Sequence, residues 1–167
     1  AVAGTPGYEH RIGGLEKDEL KGCVSHDPQN HEKMVYLREE KVNRVARFIP
    51  DQKVEGDQEG DLLLVGWGGT YGHLRTALDE LRKEEHLKLG LAQFNYIKPL
   101  PANTGEILKR FKKILVCELN RGQFMDYLRM NYPEFNYLKY NKIQGQPFTT
   151  IEIKQHVKKL VEVSQYG

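Results

Sequence analysis

The sequence predicts an α/β protein whose sheet is largely parallel and sandwiched between helices, and three features carry that prediction. Leu62-Leu63-Leu64-Val65-Gly66 is apolar or small throughout, with no polar alternation, as a strand covered on both faces requires. Glycines follow, and then Leu74, Ala77, Leu78 and Leu81 recur at i, i+3, i+4 and i+7, the spacing of one helix face. The same alternation of short apolar run and helical pattern continues to the end of the chain, which is the signature of parallel strands joined by helical crossovers.

Taken in order, residues 1–26 are glycine-rich and without apolar period, so they read as an extended arm that needs another surface for order. Asp27 is a good N-cap and Pro28 suits the first helical position. The helix they open is expected to reach about Arg47, with Met34, Leu37, Val42 and Val45 partly buried and Glu40 paired to Arg44. Residues 51–60 are acid-rich with two glycines and read as a solvated linker. The expected organisation is therefore 1–60 as arm, helix and linker, and 61–167 as the α/β domain.

Within that domain a helix is expected from about Thr70 to Glu85, and a strand inside 87–96 that closes at Lys98-Pro99-Leu100-Pro101. Asn103 with Glu106 resembles a capping box for a short helix bearing Ile107, Leu108 and Phe111. Ile114 to Cys117 reads as a third strand, residues 122–131 as a helix ending before Pro133, and 135–140 as a fourth strand. Thr149 and Glu152 form a second capping box, opening a last helix with Ile153, Val157 and Leu160 on one face.

Composition excludes several classes. The 167 residues are 39% hydrophobic and 29% charged, as in soluble globular proteins. A formal charge of +2 supplies no field for nucleic acid, and no run approaches the ~18 apolar residues of a membrane span. Cys23 and Cys117 match no metal or redox spacing, and Cys117 lies in an apolar run, so a buried free thiol and a reducing, cytoplasmic compartment are expected. The chain opens at Ala1 without methionine, as processing or excision from a longer chain would leave it.

Function in such sheets gathers beyond the carboxyl ends of the strands, here the loops 66–71, 98–105 and 118–123. The turn Gly66-Trp67-Gly68-Gly69-Thr70 lacks both the G-x-G-x-x-G spacing and the lysine of a P-loop. Its glycines serve positive φ and close strand–helix approach first; anion binding at the Thr70 helix start is the alternative. Glu118, Asn120, Arg121 and Gln123 form the densest polar cluster at a strand end, suited to a polar ligand or a partner's backbone, although Asn120 would also serve as a helix cap. Gln144 and Gln146 sit in a similar loop, read equally as a turn before the Thr149 cap. His10, His26, His31, His73, His86 and His156 make no ligand set, so no metal is expected. Ser25, Ser164 and Cys117 lack the surroundings of a nucleophile, and no catalytic residue is expected in this chain.

Gly7-Tyr8-Glu9-His10, then Asp27-Pro28, then the charged helix with Met34, Arg38 and Lys41 follow one another in a familiar order. After them come Gly66-Trp67-Gly68-Gly69-Thr70-Tyr71-Gly72, Tyr96 with Lys98-Pro99-Leu100-Pro101, the Glu118–Gln123 motif, and Lys142-Ile143-Gln144-Gly145-Gln146-Pro147-Phe148. This series resembles the C-terminal part of the α subunit of 2-oxoacid:ferredoxin oxidoreductases, most closely the 2-oxoglutarate branch. The resemblance implies a three-layer α/β/α sandwich, similar to the transketolase C-terminal domain, with a mixed sheet in which one strand opposes the rest. It implies an enzyme that turns a 2-oxo acid, coenzyme A and oxidised ferredoxin into acyl-CoA and CO2 with thiamine diphosphate, magnesium and iron–sulfur clusters. It implies as partners an N-terminal domain of the same subunit, β subunits and ferredoxin. This sequence has neither a Gly-Asp-Gly diphosphate motif nor cysteines for a cluster. The expected role is assembly, with contact to substrate or coenzyme A second, and a free-standing anion- or nucleotide-binding module as the alternative; alone, the chain is expected to be inactive and to bind none of these cofactors.

Overall fold

The computed structural model describes residues 2–9, 13–84 and 87–165. Ala1 to Arg44 and Val45 to Gly167 form two compact units. In the first, α1 spans Pro28–Arg44, where Asp27 accepts from the Gln29 N–H at 3.0 Å as its cap. Met34 and Leu37 are half-buried, while Val42 and Val45, expected to be partly buried, are exposed at 40% and 45%. Glu40 and Arg44 pair across 3.8 Å as expected.

Part of the preceding arm is ordered by its own polar groups. Lys17 and Val24 form an antiparallel bridge, the Asp18 carboxylate accepts from the N–H groups of Leu20, Lys21 and Cys23, and Glu16 binds Arg38 at 2.9 and 3.2 Å. The expectation of an extended arm that needs another surface for order is therefore corrected: an Asx-type turn and the pairs Glu16–Arg38 and Glu19–Lys33 supply order that apolar periodicity does not reveal. His10 lies outside the described residues.

In the second unit β1 spans Glu55–Gly56, β2 Gly60–Trp67, α2 Tyr71–Glu84, β3 Leu89–Phe94 and α3 Thr104–Leu108. Then follow β4 Phe111–Glu118, α4 Gln123–Asn131, β5 Tyr137–Asn141 and α5 Thr150–Gln165. The sheet order is β1-β3-β2-β4-β5, with β2 to β5 parallel and β1 antiparallel to β3. Alternate residues of each strand face opposite layers. Leu62, Leu64, Leu115 and Cys117 pack with Leu74, Ala77, Leu78 and Leu81 of α2 and with Ile153 and Val157 of α5. Leu63, Val65, Ile114 and Val116 pack with Ile107 and Leu108 of α3 and with Phe124, Met125 and Leu128 of α4. Two cores thus sandwich one sheet, the three-layer arrangement read from the sequence.

Residues 51–60 are not a solvated linker. They supply the antiparallel edge strand β1, and the Asp57 carboxylate accepts from Arg82 and from the Leu89 N–H at 3.0 Å. Their acids are used locally, which composition alone does not show. The box at Thr149 and Glu152 closes as expected, the Thr149 N–H donating to Glu152 at 2.7 Å and the Glu152 N–H to the Thr149 hydroxyl at 3.2 Å. The box at Asn103 does not. Its amide instead pairs with the Gln52 backbone, accepting from the N–H at 2.8 Å and donating to the carbonyl at 2.9 Å. No helix of the described residues is long and apolar enough to cross a membrane.

Candidate functional site

Strand β2 leads through α2 to β3 on one side, and the chain then crosses back to place β4 on the other. The crossovers therefore lead to opposite sides of β2, and the crevice at the carboxyl ends of the parallel strands β2 and β4 is where the topology makes room for a ligand. Here that crevice is bridged. The Trp67 indole Nε1 donates to Glu118 Oε1 at 3.2 Å, joining the turn after β2 to the loop after β4.

Glu118 is fully buried at the end of β4. Besides the indole it accepts from the Phe124 N–H at 2.9 Å, the Met125 N–H at 3.1 Å and Asn120 Nδ2 at 3.1 Å. The first two are orphan donors of the first turn of α4, where a carboxylate is favoured by both hydrogen bonding and the helix dipole. Asn120 Oδ1 accepts from the N–H groups of Gly122 at 2.7 Å and Gln123 at 3.1 Å, and Gly122 holds φ of +100° there. Beside them Cys117 is buried, and burial first, with the Glu118 charge second, pushes its thiol far up and makes it a poor nucleophile.

The glycine turn is also occupied by its own groups. A Cβ on Gly66 would lie 2.3 Å from Leu74 Cδ1 and 2.6 Å from Thr70 Oγ1, so only glycine permits this strand–helix approach. The Thr70 hydroxyl donates to the Trp67 carbonyl at 3.0 Å and accepts from the Trp67 N–H at 3.1 Å. Gly68 and Gly69 are exposed, with open space where a side chain would stand.

Of the residues singled out in the sequence, the structure thus brings Gly66, Gly68, Gly69 and Thr70 beside Glu118 and Asn120. Arg121 and Gln123 are exposed on the same loop, and their side chains form no hydrogen bond or ion pair among the described residues. Gln144 and Gln146 are exposed on the loop beyond β5. That loop is pinned from below by Lys142, whose Nζ donates to the Pro147 carbonyl and to both Glu152 oxygens at 2.9 Å each.

A cleft of about 590 Å³ opens on the other side of the glycine turn, at the carboxyl ends of β2 and β3. Tyr71, Tyr96, Gln93 and Gly68 line it, opposite residues 50–55. Gln52 fixes that wall by donating to the Gln93 carbonyl at 3.0 Å, and Glu55 orients Tyr71 by accepting from its hydroxyl at 3.2 Å while paired with Arg75. Gln93 donates to the Gly68 carbonyl at 3.1 Å, and its buried oxygen has no partner among the described residues. The loops 66–71 and 98–105 supply Gly68, Tyr71 and Pro101 to this cleft, whereas Gln93 and the wall at 50–55 are not among the residues singled out in the sequence. Gln93 interrupts an otherwise apolar strand at the position where β3 meets the Gly66 turn, and that interruption was the available signal. His86 lies outside the described residues, and no three acidic, histidine or cysteine side chains gather as a metal site among the rest.

No family model matches the chain. The 2-oxoglutarate oxidoreductase subunit KorA of Mycobacterium tuberculosis is 40% identical to it over 95% of this chain and 24% of that subunit. A 2-oxoacid:ferredoxin oxidoreductase α subunit of Aeropyrum pernix is 31% identical over 92% of this chain and 24% of its own length. Among solved structures, the 2-oxoglutarate:ferredoxin oxidoreductase of Magnetococcus marinus, with 2-oxoglutarate, coenzyme A and succinyl-CoA bound, superposes with a TM-score of 0.83. Identity to it is 33%, over 95% of this chain and 28% of that one. The chain spans about a quarter of the length of the curated relatives it matches.

Proposed function

From its homology, over nearly its whole length, to 2-oxoacid:ferredoxin oxidoreductase α subunits, we propose that this chain is a non-catalytic assembly module of such an enzyme. The enzyme would convert a 2-oxo acid, 2-oxoglutarate first, with coenzyme A and oxidised ferredoxin into acyl-CoA, CO2 and reduced ferredoxin in the cytoplasm. The observation that carries the assembly role is the fate of Glu118. The one fully buried carboxylate at the sheet's switch point is held by four donors of the protein itself, and Thr70 and Asn120 are likewise spent on backbone. A reacting carboxylate needs access to substrate, and this one has none.

Thiamine diphosphate, magnesium and iron–sulfur clusters, implied for the whole enzyme, do not fit the residues present. The sequence holds two cysteines, one exposed and one buried, against the four thiolates of a cluster, and the described residues offer no magnesium ligand set. Those groups belong in this reading to the rest of the α subunit and to the β subunits.

Two measurements test the proposal. The purified chain, given thiamine diphosphate, magnesium, coenzyme A, 2-oxoglutarate and a viologen acceptor, should show no turnover. An enzyme whose α subunit lacks the segment matching residues 45–167 should come apart on size-exclusion chromatography; an intact, active enzyme would refute the role.

A second reading, contact with coenzyme A, is favoured by the cleft between Tyr71 and Tyr96 at the β2 and β3 carboxyl ends. Titrating the chain with coenzyme A by calorimetry separates the two: assembly alone predicts no heat of binding, and saturable binding lost in Tyr71→Ala supports contact. Saturable binding of any nucleotide, with coenzyme A no better than the rest, would instead favour a free-standing nucleotide binder.

A further inference from the structure

The cleft beyond β2 and β3 is built before anything enters it. Asn103 binds both backbone groups of Gln52, Gln52 donates to the Gln93 carbonyl, and Gln93 donates to the Gly68 carbonyl. The wall at 50–55, the end of β3 and the glycine turn are thereby tied to one another. Glu55 accepts from the Tyr71 hydroxyl at 3.2 Å and fixes that phenol in the lining. The hollow of about 590 Å³ falls within the ~300–1,000 Å³ of small-ligand clefts.

The groups left unspent in the lining define what would fit. Tyr71 and Tyr96 are 42% and 43% exposed, and Pro50 and Pro101 add apolar surface to the same hollow. Asn95, exposed just before Tyr96, makes no side-chain hydrogen bond among the described residues, so its amide offers a donor and an acceptor side by side. The charges of the lining balance: Glu55 is paired with Arg75, and Asp51 and Lys53 contribute one charge of each sign.

A dicarboxylate or a phosphate chain needs a surplus of cations, and this lining has none. An extended peptide needs backbone partners, and the Gln52 N–H and the Gln52, Gln93 and Gly68 carbonyls are already paired within the chain. A flat, uncharged ring with a donor and an acceptor on one edge meets every condition. Its faces stack on tyrosine, its edge pairs with a carboxamide, and it needs no counter-charge. Resting on the second reading above only in placing a ligand in this cleft, we propose that it binds an uncharged heterocycle of the nucleobase class. The ring stacks on Tyr71 and Tyr96 with its polar edge on Asn95, and any phosphate attached to it stays in solvent.

The probes are adenosine, guanosine and uridine, titrated into the chain by calorimetry. At least one should bind saturably, unchanged within about twofold between about 0.05 and 0.5 M salt because no ion pair contributes. Its monophosphate should bind no more than about threefold tighter. Tyr96→Ala should weaken binding by about tenfold through loss of a base–aromatic stack, and Asn95→Ala by about fivefold through loss of the paired edge. Binding of coenzyme A with all three nucleosides silent would overturn the ring site and leave the coenzyme A reading standing. Silence from nucleosides and coenzyme A alike would overturn both and leave the assembly role to the deletion described above. Nucleoside binding that is undiminished in both variants would also overturn this site. Thermal melting of each variant excludes loss of fold as the cause.

Discussion

The Trp67 indole and the Glu118 carboxylate meet at 3.2 Å between the carboxyl ends of the parallel neighbours β2 and β4. The contact makes the last residue of β2 and the last residue of β4 parts of one cap on α4, because the same carboxylate also holds the Phe124 and Met125 N–H groups. Glu118→Ala should therefore leave two buried helix donors, the indole and an amide without an acceptor. The expected loss is about 2–4 kcal/mol in urea unfolding. Trp67→Phe keeps the ring but removes one donor and should cost only about 1 kcal/mol. Equal losses in the two variants would contradict the cap.

The glycines of the turn should separate sharply. Gly66→Ala forces a methyl against Leu74, Thr70 and Gln93 Oε1, the last at 2.9 Å, and should destabilise by about 1–3 kcal/mol through overpacking. Gly69→Ala meets open space and should change stability by less than about 0.5 kcal/mol. Chemical denaturation of the two variants side by side checks the contrast, and it decides whether packing alone accounts for the glycine at 66.

Most of the architecture was legible in the sequence because each element carries a period. Leu74, Ala77, Leu78 and Leu81 are all buried on one helix face, and the apolar run at 62–65 became the central strand. What escaped was built from polar groups whose partners are distant in sequence. Asn103 looked like a cap but reaches 51 residues back to Gln52, and residues 51–60 looked like a linker because their pairing with β3 has no apolar signature. The candidate loops lie at the carboxyl edge of the sheet because the strands that lead into them were legible. Their internal use was not legible, since a run such as Glu118, Asn120, Arg121 and Gln123 looks alike whether its donors and acceptors face a ligand or the first turn of α4.

Acid should weaken the loop beyond β5. Lys142, and after it the Thr149 N–H, hold the Glu152 carboxyl down at about 2, below its ordinary 4.5. A group whose pKa is lower in the folded state contributes stability above its unfolded pKa and loses it as pH falls through the folded value. The contribution should be whole above about pH 4.5 and vanish toward pH 2. Glu152→Gln should accordingly be less stable than wild type at pH 6, with the gap closing as pH falls below 4. Urea melts at pH 6, 4 and 2.5 give the curve; a gap that widens in acid would reverse the assignment.

The two thiols should differ in reactivity. Cys23 is exposed, whereas Cys117 is enclosed in the core and its thiol is pushed up by burial, so little thiolate forms at neutral pH. Native protein should titrate one thiol with Ellman's reagent in minutes, and a second should appear only in denaturant. Two fast thiols would show that β4 opens far more readily than its packing implies.

The wall of the cleft should depend on a single side chain. Residues 50–55 approach β3 through the Asn103 amide, which binds both backbone groups of Gln52, and through Gln52, which binds the Gln93 carbonyl. Asn103→Ala removes two hydrogen bonds at the entry to β1 while leaving α3 intact, since its N-cap side chain makes no bond to that helix. A net loss of about 1–2 kcal/mol follows for two such bonds, but the larger effect is local. Amide hydrogen exchange should quicken at Gln52 and at Asp57, whose N–H donates to the Leu89 carbonyl, while exchange in β2 and β4 stays slow. Uniform acceleration across the sheet would mean that residues 50–57 unfold with the core, and Asn103 would then be a global rather than a local clamp.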